Sequence, residues 1–440
     1  MLLIYVTRLT NRLGYTLNVL FGSLLKIDFQ IPTDEQLFER HSGPRLCYGD
    51  RPIGDAPFIK AHRLLFETSI EEQNPRHFIY QGIHALFPVY GQGLEIPFDP
   101  FAATFYMASR YEEYLPHRSD NHGRFLAQDS LAFKEGFVES PVVDQWALMV
   151  RDLISSHYPE ANFPSKNFSF TETIDIDAAY SYKYKGIFRT IAGLLRDGLH
   201  NRQKEEVAKR IRVLMGKEDD PYDTFEHILD TRKQHKNMKL LFFVLLGDYS
   251  LYDKPTSYHT AEFRELLQRL GDYSKIGIHP SYASQEEPQR IEKETKRLAD
   301  ILHRPIVRSR FHFLRFSLPS SYRALISYDI QHDYSMGYAE CPGYRCGTAT
   351  PYPFYDLSRD VETSLTIHPF VVMDTTLQQY CKMSPQEALE CYKKLIDEAR
   401  NVGGTFCCIW HNQNLSETQG WEGWRQVHDL MIDYGTPKGA

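Results

Sequence analysis

Two aspartates one residue apart, in Thr173-Ile-Asp-Ile-Asp177, are the first place in this 440-residue chain where side-chain type and spacing could do chemistry. In an extended segment side chains alternate, so Asp175 and Asp177 project to one face and Ile174 and Ile176 to the other. Two carboxylates on one buried face repel each other, and the site must hold a proton or bind a cation. Asp177 could instead cap a helix starting near Ala178, but that role leaves Asp175 unexplained. Three histidines close comparable segments: His279 before Pro280-Ser-Tyr282, His312 at the end of Arg308-Ser-Arg-Phe-His312, and His411 after the apolar run 404–410. A histidine held at a strand end suits metal ligation or proton transfer. The Gly-, Pro- and aromatic-rich stretch 343–357 reads as a loop in which Arg345 could address a substrate carbonyl or anion. Upstream, Glu112, Glu113, Asp120 and His122 are polar and close in sequence, and a structural role is expected of them.

Those residues need elements to hold them. Strands are expected at 168–175, 239–247, 275–279, 305–310, 364–367 and 404–410, with helices at 178–200, 203–215, 223–235, 261–270, 286–302, 319–328 and 385–401. Such alternation implies an α/β fold with a parallel sheet and helical crossovers, most simply a distorted, incomplete (β/α) barrel. Barrels of that kind place their chemistry at the carboxyl ends of the strands. The stretch YPEANFPSKN, with two prolines, marks a boundary near 159–166. It divides an amino-terminal accessory domain (1–165), smaller and mixed α/β, from a carboxy-terminal catalytic domain (166–440). In the first of these, apolar and aromatic residues at helical spacing after Phe101 predict a helix, followed by a loop at Asp120-Asn-His-Gly-Arg124.

Composition narrows the classes. The net charge is −7, with no basic footprint for nucleic acid. No apolar run approaches the roughly 18 residues of a membrane span. Arg8, Asn11 and Arg12 interrupt the apolar amino terminus, and no small-residue cleavage site follows, which reads as a folded segment of a cytoplasmic protein. Seven cysteines fit a reducing compartment, and Cys341 and Cys346 lack the second pair that a zinc site would need.

An aspartate pair on the first strand, a histidine motif, an arginine-containing motif and a late strand ending in histidine together resemble the polysaccharide deacetylase superfamily, carbohydrate esterase family four, over 168–434. With SRYEEY, IHPSY, RFHFLRF, DYSMGY and WHN, the whole chain looks like a bacterial subgroup that carries an extra amino-terminal domain. The resemblance implies metal-dependent removal of N-acetyl groups from an amino-sugar-containing glycan. It makes Asp175 the general base, His411 the general acid, and Asp177 and His279 ligands of a divalent ion, zinc foremost, with cobalt, manganese, nickel or iron as alternatives. Arg345, Arg308, Tyr282 and Trp410 are expected on the substrate side, and Asp333 is the candidate for orienting His411. The family's second histidine, four residues after the first, is absent: that position is Ala283, and His312 is the expected replacement. Many members have adjacent aspartates, so the spacing here leaves the roles of Asp175 and Asp177 exchangeable. A different class of reading is a catalytically silent relative that binds polysaccharide or assists its assembly. A third is a metal-independent hydrolase working through Asp175 and His411.

Overall fold

The computed structural model describes residues 1–184 and 204–437. It is a mixed α/β structure with one parallel and one largely parallel sheet. The amino-terminal sheet has the order β2-β1-β3-β4, formed by β1 (Leu2–Val6), β2 (Phe29–Gln30), β3 (Arg45–Gly49) and β4 (Phe58–Lys60). The apolar amino terminus is core: after β1 the chain turns through Thr10, whose hydroxyl accepts from the Leu13 N–H, into helix Asn11–Leu17. Leu13, Leu17, Leu20 and Phe21 are fully buried there. A short hairpin of β5 (Phe78–Tyr80) and β6 (Ile83–Ala85) follows. Helix Pro100–Ala108 starts at Asp99, whose carboxylate accepts from the N–H groups of Phe101 and Ala102. No helix among the described residues is long and apolar enough to cross a membrane.

The larger sheet has nine strands. They are β7 (Ser169–Ile176), β8 (Met238–Val244), β9 (Lys275–Ile278), β10 (Arg308–Ser309), β11 (His332–Asp333), β12 (Tyr352–Asp356), β13 (Val361–Ile367), β14 (Val372–Met373) and β15 (Thr405–His411). Their order is β12-β13-β11-β10-β9-β8-β7-β15-β14, and every pairing is parallel except β12 with β13. Among the described residues no pairing joins β12 to β14, so the ladder is open. The alternation expected for the carboxy-terminal part is present, with three differences. The antiparallel β12–β13 hairpin takes over the end of the expected loop 343–357. Strands β11 and β14, two residues each, have no counterpart in the sequence reading. Residues 178–184 of the expected helix 178–200 are not helical, and the rest of it lies outside the described residues.

Along the inner face, side chains follow the period of two. Asp175 shares its face with Thr173 and Thr171, and His411 with Ile409 and Cys407. Strands β15 and β7 pair with His411 directly opposite Asp175. Inside the sheet an apolar layer of Leu241, Phe243, Tyr334, Phe370, Cys407 and Ile409 fills the middle. The outer face and the amino-terminal part belong to one continuous apolar cluster running from Leu2 to Ile432. The expected boundary at 159–166 falls in the irregular stretch between helix Val142–His157 and β7. Across it, Tyr15 packs on Tyr355 at 4.6 Å and donates to the Pro353 carbonyl at 3.1 Å, while buried Arg12 pairs with Asp360 at 3.3 Å.

Candidate active site

Side chains converge from the carboxyl ends of β7, β9, β10 and β15. Asp175 is buried, and Arg310 just after β10 donates from Nη1 to its Oδ1 at 2.8 Å and to the Thr173 hydroxyl at 2.6 Å. Arg310 is itself held by Nε donating to the Tyr334 carbonyl at 3.0 Å and lies over the Phe243 ring at 4.5 Å. A guanidinium fixed in this way keeps one oxygen of Asp175 occupied and leaves Oδ2 facing the cleft.

His411 ends β15. Its backbone N–H donates to Asp374 Oδ2 and its Nδ1 bonds Asp374 Oδ1, both at 2.8 Å, while Asn414 also donates to Oδ2 at 2.8 Å. Burial disfavours the imidazolium, but Asp374, then Asp177 and Asp175, outweigh it and raise His411 to about 10. With Nδ1 committed to Asp374, Nε2 is the atom turned to the cleft, 3.9 Å from Asp177 Oδ2.

Asp177, one residue beyond β7, is flanked by two imidazoles. Nε2 of His279 and Nε2 of His312 each lie 3.5 Å from Asp177 Oδ1. That oxygen is buried and has no hydrogen-bond partner among the described residues. The far side of each ring is already engaged. His279 Nδ1–H donates to the Arg310 carbonyl at 2.5 Å, and His312 Nδ1 bonds Asp253 Oδ1 at 2.8 Å. A carbonyl can only accept, so neutral His279 carries its lone pair on Nε2, and Asp253 imposes the same tautomer on His312. The ligand atoms of Asp177, His279 and His312 lie within 4.8 Å of one another. Burial opposes charge on His312, yet Asp177 and Asp253 raise it to about 9. A field that draws a proton there equally favours a bound cation. An unpartnered carboxylate oxygen and two Nε2 lone pairs fit a divalent ion with three protein ligands and an open position.

The cleft above these groups is a cavity of about 220 Å³, lined also by Phe311, Phe313, Tyr380 and Gln413. Its rim reaches into the amino-terminal part. Arg124 lines it, donates to the Phe313 carbonyl at 3.0 Å and to the Tyr380 hydroxyl at 3.2 Å, and pairs with Asp120 at 2.7 Å. His122 bonds the Tyr282 hydroxyl at 3.0 Å. Tyr282 does not line the cavity: its ring packs on Phe313, which does, at 5.4 Å, and stacks on Tyr252 at 4.1 Å, with its backbone N–H given to Asp253.

Other expected residues lie elsewhere. Arg345 does not reach the cleft: it is buried, donating to both oxygens of Glu113 at 2.9 and 2.6 Å and to the Gly337 carbonyl. A loop charge that looked free is the counterion of a residue 232 positions away. Trp410 is on the wrong face, because its neighbour His411 points inward; it is fully buried against Tyr392 at 5.8 Å and His428 at 5.1 Å. Arg308 shares the inner face with Arg310 but sits one pleat nearer the strands' amino ends, in another cavity. Asp333 does not orient His411, since its carboxylate is taken by the hydroxyls of Ser309 and Ser335, both at 2.9 Å; Asp374 does. Arg310, Asp253, Asp374 and Arg124 carried no role in the sequence reading. Only Arg310 had a usable signal, its place two residues before His312 in the strand-end motif.

Residues 2–159 match a model described as "Family of unknown function (DUF7033)". No curated protein matches the chain. Among solved structures, the chain is similar to a Mycobacterium smegmatis protein assigned as a polysaccharide deacetylase (15% identity, 62% of this chain and 85% of that one, TM-score 0.40). It is similar also to the polysaccharide deacetylase Bc1974 from Bacillus cereus (12% identity, 61% and 86%, TM-score 0.29). A third is BA3943 from Bacillus anthracis, a CE4 family pseudoenzyme (11% identity, 62% and 63%, TM-score 0.28).

Proposed function

We propose that the chain is a metal-dependent hydrolase that removes N-acetyl groups from an amino-sugar-containing glycan, on an incomplete barrel of the polysaccharide deacetylase type. The observation that carries this reading is the placement of two histidine Nε2 atoms 3.5 Å from the unpartnered Oδ1 of Asp177, between the Arg310-held Asp175 and the Asp374-held His411. Asp177, His279 and His312 would hold the ion, zinc foremost. Bound there, a divalent cation supplies Lewis-acid polarisation of the acetyl carbonyl and lowers the pKa of an attacking water.

The chain's own groups move the protons. Oδ1 of Asp175 is held by Arg310, so Oδ2 takes the proton from water as its oxygen attacks the carbonyl carbon. The C–N bond then breaks, and His411, protonated and held at Nδ1 by Asp374, gives its Nε2 proton to the departing amine. Acetate and a free amino sugar are the products. Asp175 must then lose its proton and His411 regain one before the next turnover. Phe311, Phe313 and Tyr380 give the cleft an aromatic surface that suits a pyranose face.

Ala283 is the feature that favours a catalytically silent glycan-binding protein, and His312 stands where a third ligand is needed. The test is metal analysis of the purified protein together with acetate release from N-acetylglucosamine oligomers. The proposal expects close to one divalent ion per chain, activity lost to chelators, and restoration by zinc, cobalt or manganese. Glycan binding without bound metal and without acetate release would put the silent reading ahead.

A further inference from the structure

A second cavity, about 780 Å³ against about 220 Å³ for the cleft at the strands' carboxyl ends, lies at their amino ends. It sits on the same inner face one or two pleats below the candidate active site, and the apolar layer around Phe243 and Ile409 lies between the two. Its charged lining is mostly cationic. Lys239, Lys275 and Arg308 come from three successive strands, and Arg232 and Lys236 from the helix and turn before β8, while Asp272 is the one carboxylate among the lining residues. Among the described residues no ion pair is formed by Lys236, Lys239, Lys275 or Arg308, and the buried Nε of Arg308 has no hydrogen-bond partner. Lys236, Lys239 and Lys275 are exposed and Arg308 is half-buried, and a recess with this excess of positive charge concentrates anions.

Two histidines report the same field. His368 Nε2 bonds His332 Nδ1 at 3.1 Å, and His368 stacks on Tyr334 at 4.3 Å between centroids. Burial, then His332, Arg308, Lys239 and Lys275 lower His368 to about 3, and burial with Arg308 and Lys275 also lowers His332, so the neutral pair, bridged by one of its two N–H groups, keeps the other to donate to a ligand. The cavity is of the size that holds small molecules, well beyond a single inorganic ion.

We infer that this cavity is a second ligand site, separate from the metal cleft, that binds a small organic or inorganic anion bearing at least two phosphate or carboxylate groups. Arg308 provides the forked contact, Lys239 and Lys275 provide mobile charges at the mouth, and the His332–His368 pair with Tyr334 forms the floor. None of this depends on the hydrolase reading.

Calorimetric titration of the full chain with tripolyphosphate and with citrate, at low and moderate salt, tests it. The expected result is saturable binding of one ligand per chain, weakened by added salt, with the stronger of the two anions identifying phosphate or carboxylate as the recognised group. The double variant Arg308→Gln/Lys275→Gln should weaken binding at least tenfold. Lys239→Gln/Lys275→Gln, which changes only exposed side chains and leaves the core intact, should weaken it in the same direction. Asp177→Asn should bind as the unmodified chain does. No saturable binding of either anion, unchanged affinity in both double variants, or loss of binding in Asp177→Asn would each overturn the assignment.

Discussion

Arg345 was expected to meet substrate, and its position beside Glu113 predicts instead that removing either partner costs stability. In Glu113→Gln, the guanidiniums of Arg345 and Arg110 stay buried with their shared carboxylate gone. Two routes give the magnitude. Breaking a buried pair by deleting one partner costs about 3–5 kcal/mol. Independently, burial raises the Glu113 carboxyl, but Arg345 and Arg110 outweigh it and bring it from 4.5 to about 2. At about 1.4 kcal/mol per pKa unit that is roughly 3 kcal/mol. The group is a depressed carboxylate, so its contribution is present above the unfolded pKa of about 4.3 and disappears as pH falls toward about 2. Equilibrium urea unfolding, followed by tryptophan fluorescence and far-ultraviolet circular dichroism, should therefore show Glu113→Gln about 3–5 kcal/mol less stable at pH 7. The gap to the unmodified chain should narrow below about pH 4. Arg345→Met combined with Glu113→Gln should cost less than the sum of the two changes, because they remove one interaction. A variant of full stability with a raised KM for a glycan would refute this account and return Arg345 to the substrate.

Asp177→Asn, His279→Ala and His312→Ala should each lose the bound ion, read by elemental analysis or by the visible spectrum of the cobalt-loaded protein. Asp253→Asn, one bond further out, should weaken metal affinity by about 10–100-fold, since an outer carboxylate fixes the His312 tautomer. His411→Ala should keep the metal and lose turnover by about 10²–10⁴-fold. Asp374→Asn should also retain metal while lowering kcat more than it changes KM; loss of the ion in either variant would place His411 among the ligands. Trp410→Ala should destabilise by about 3–5 kcal/mol through the cavity it leaves against Tyr392, with no change in KM among the molecules that remain folded.

The long strands were legible. Strands β7 and β15, eight and seven residues, show enough of the pattern to be read, and the period of two carries Asp175 and His411 to one face. The same rule, applied consistently, would have excluded Trp410, whose neighbour His411 points inward, and placed Arg308 on the Arg310 face but one pleat toward the amino ends. Two-residue strands such as β11 and β14 have no period to detect, so Asp333 and Asp374 could not be told apart as partners for His411. Asp253 lies in irregular chain and meets His312 across 59 residues, a contact that no local pattern encodes. Arg345 shows the same limit with a buried charge: its Gly- and Pro-rich surroundings mark a loop, but burial and the partner are properties of the packed molecule.

On the proposed reading, Ala283 and His312 illustrate how a metal site can survive a vacant motif position. A cation is bound by atoms at the right points in space, and neighbouring parallel strands bring the segments after their carboxyl ends to adjacent points. Position 283 follows β9 and position 312 follows β10, and Ser309 of β10 pairs with Ile278 of β9. The residues three beyond Ser309 and one beyond Ile278 are His312 and His279, whose rings lie 5.0 Å apart. A third ligand, the second nitrogen of the set, can therefore come from the next strand without moving the other two ligands. What such a change requires is a partner for the new ring's far nitrogen, since a free imidazole at a strand end would choose its own tautomer and rotamer. Asp253 meets that requirement, and it also accepts the N–H of Tyr282, so the segment that contains Ala283 is tied to the same carboxylate that fixes His312. If His312 were an incidental core histidine, Asp253→Asn would alter stability and leave metal affinity alone; a change in affinity at constant fold is what a ligand transferred between strands demands.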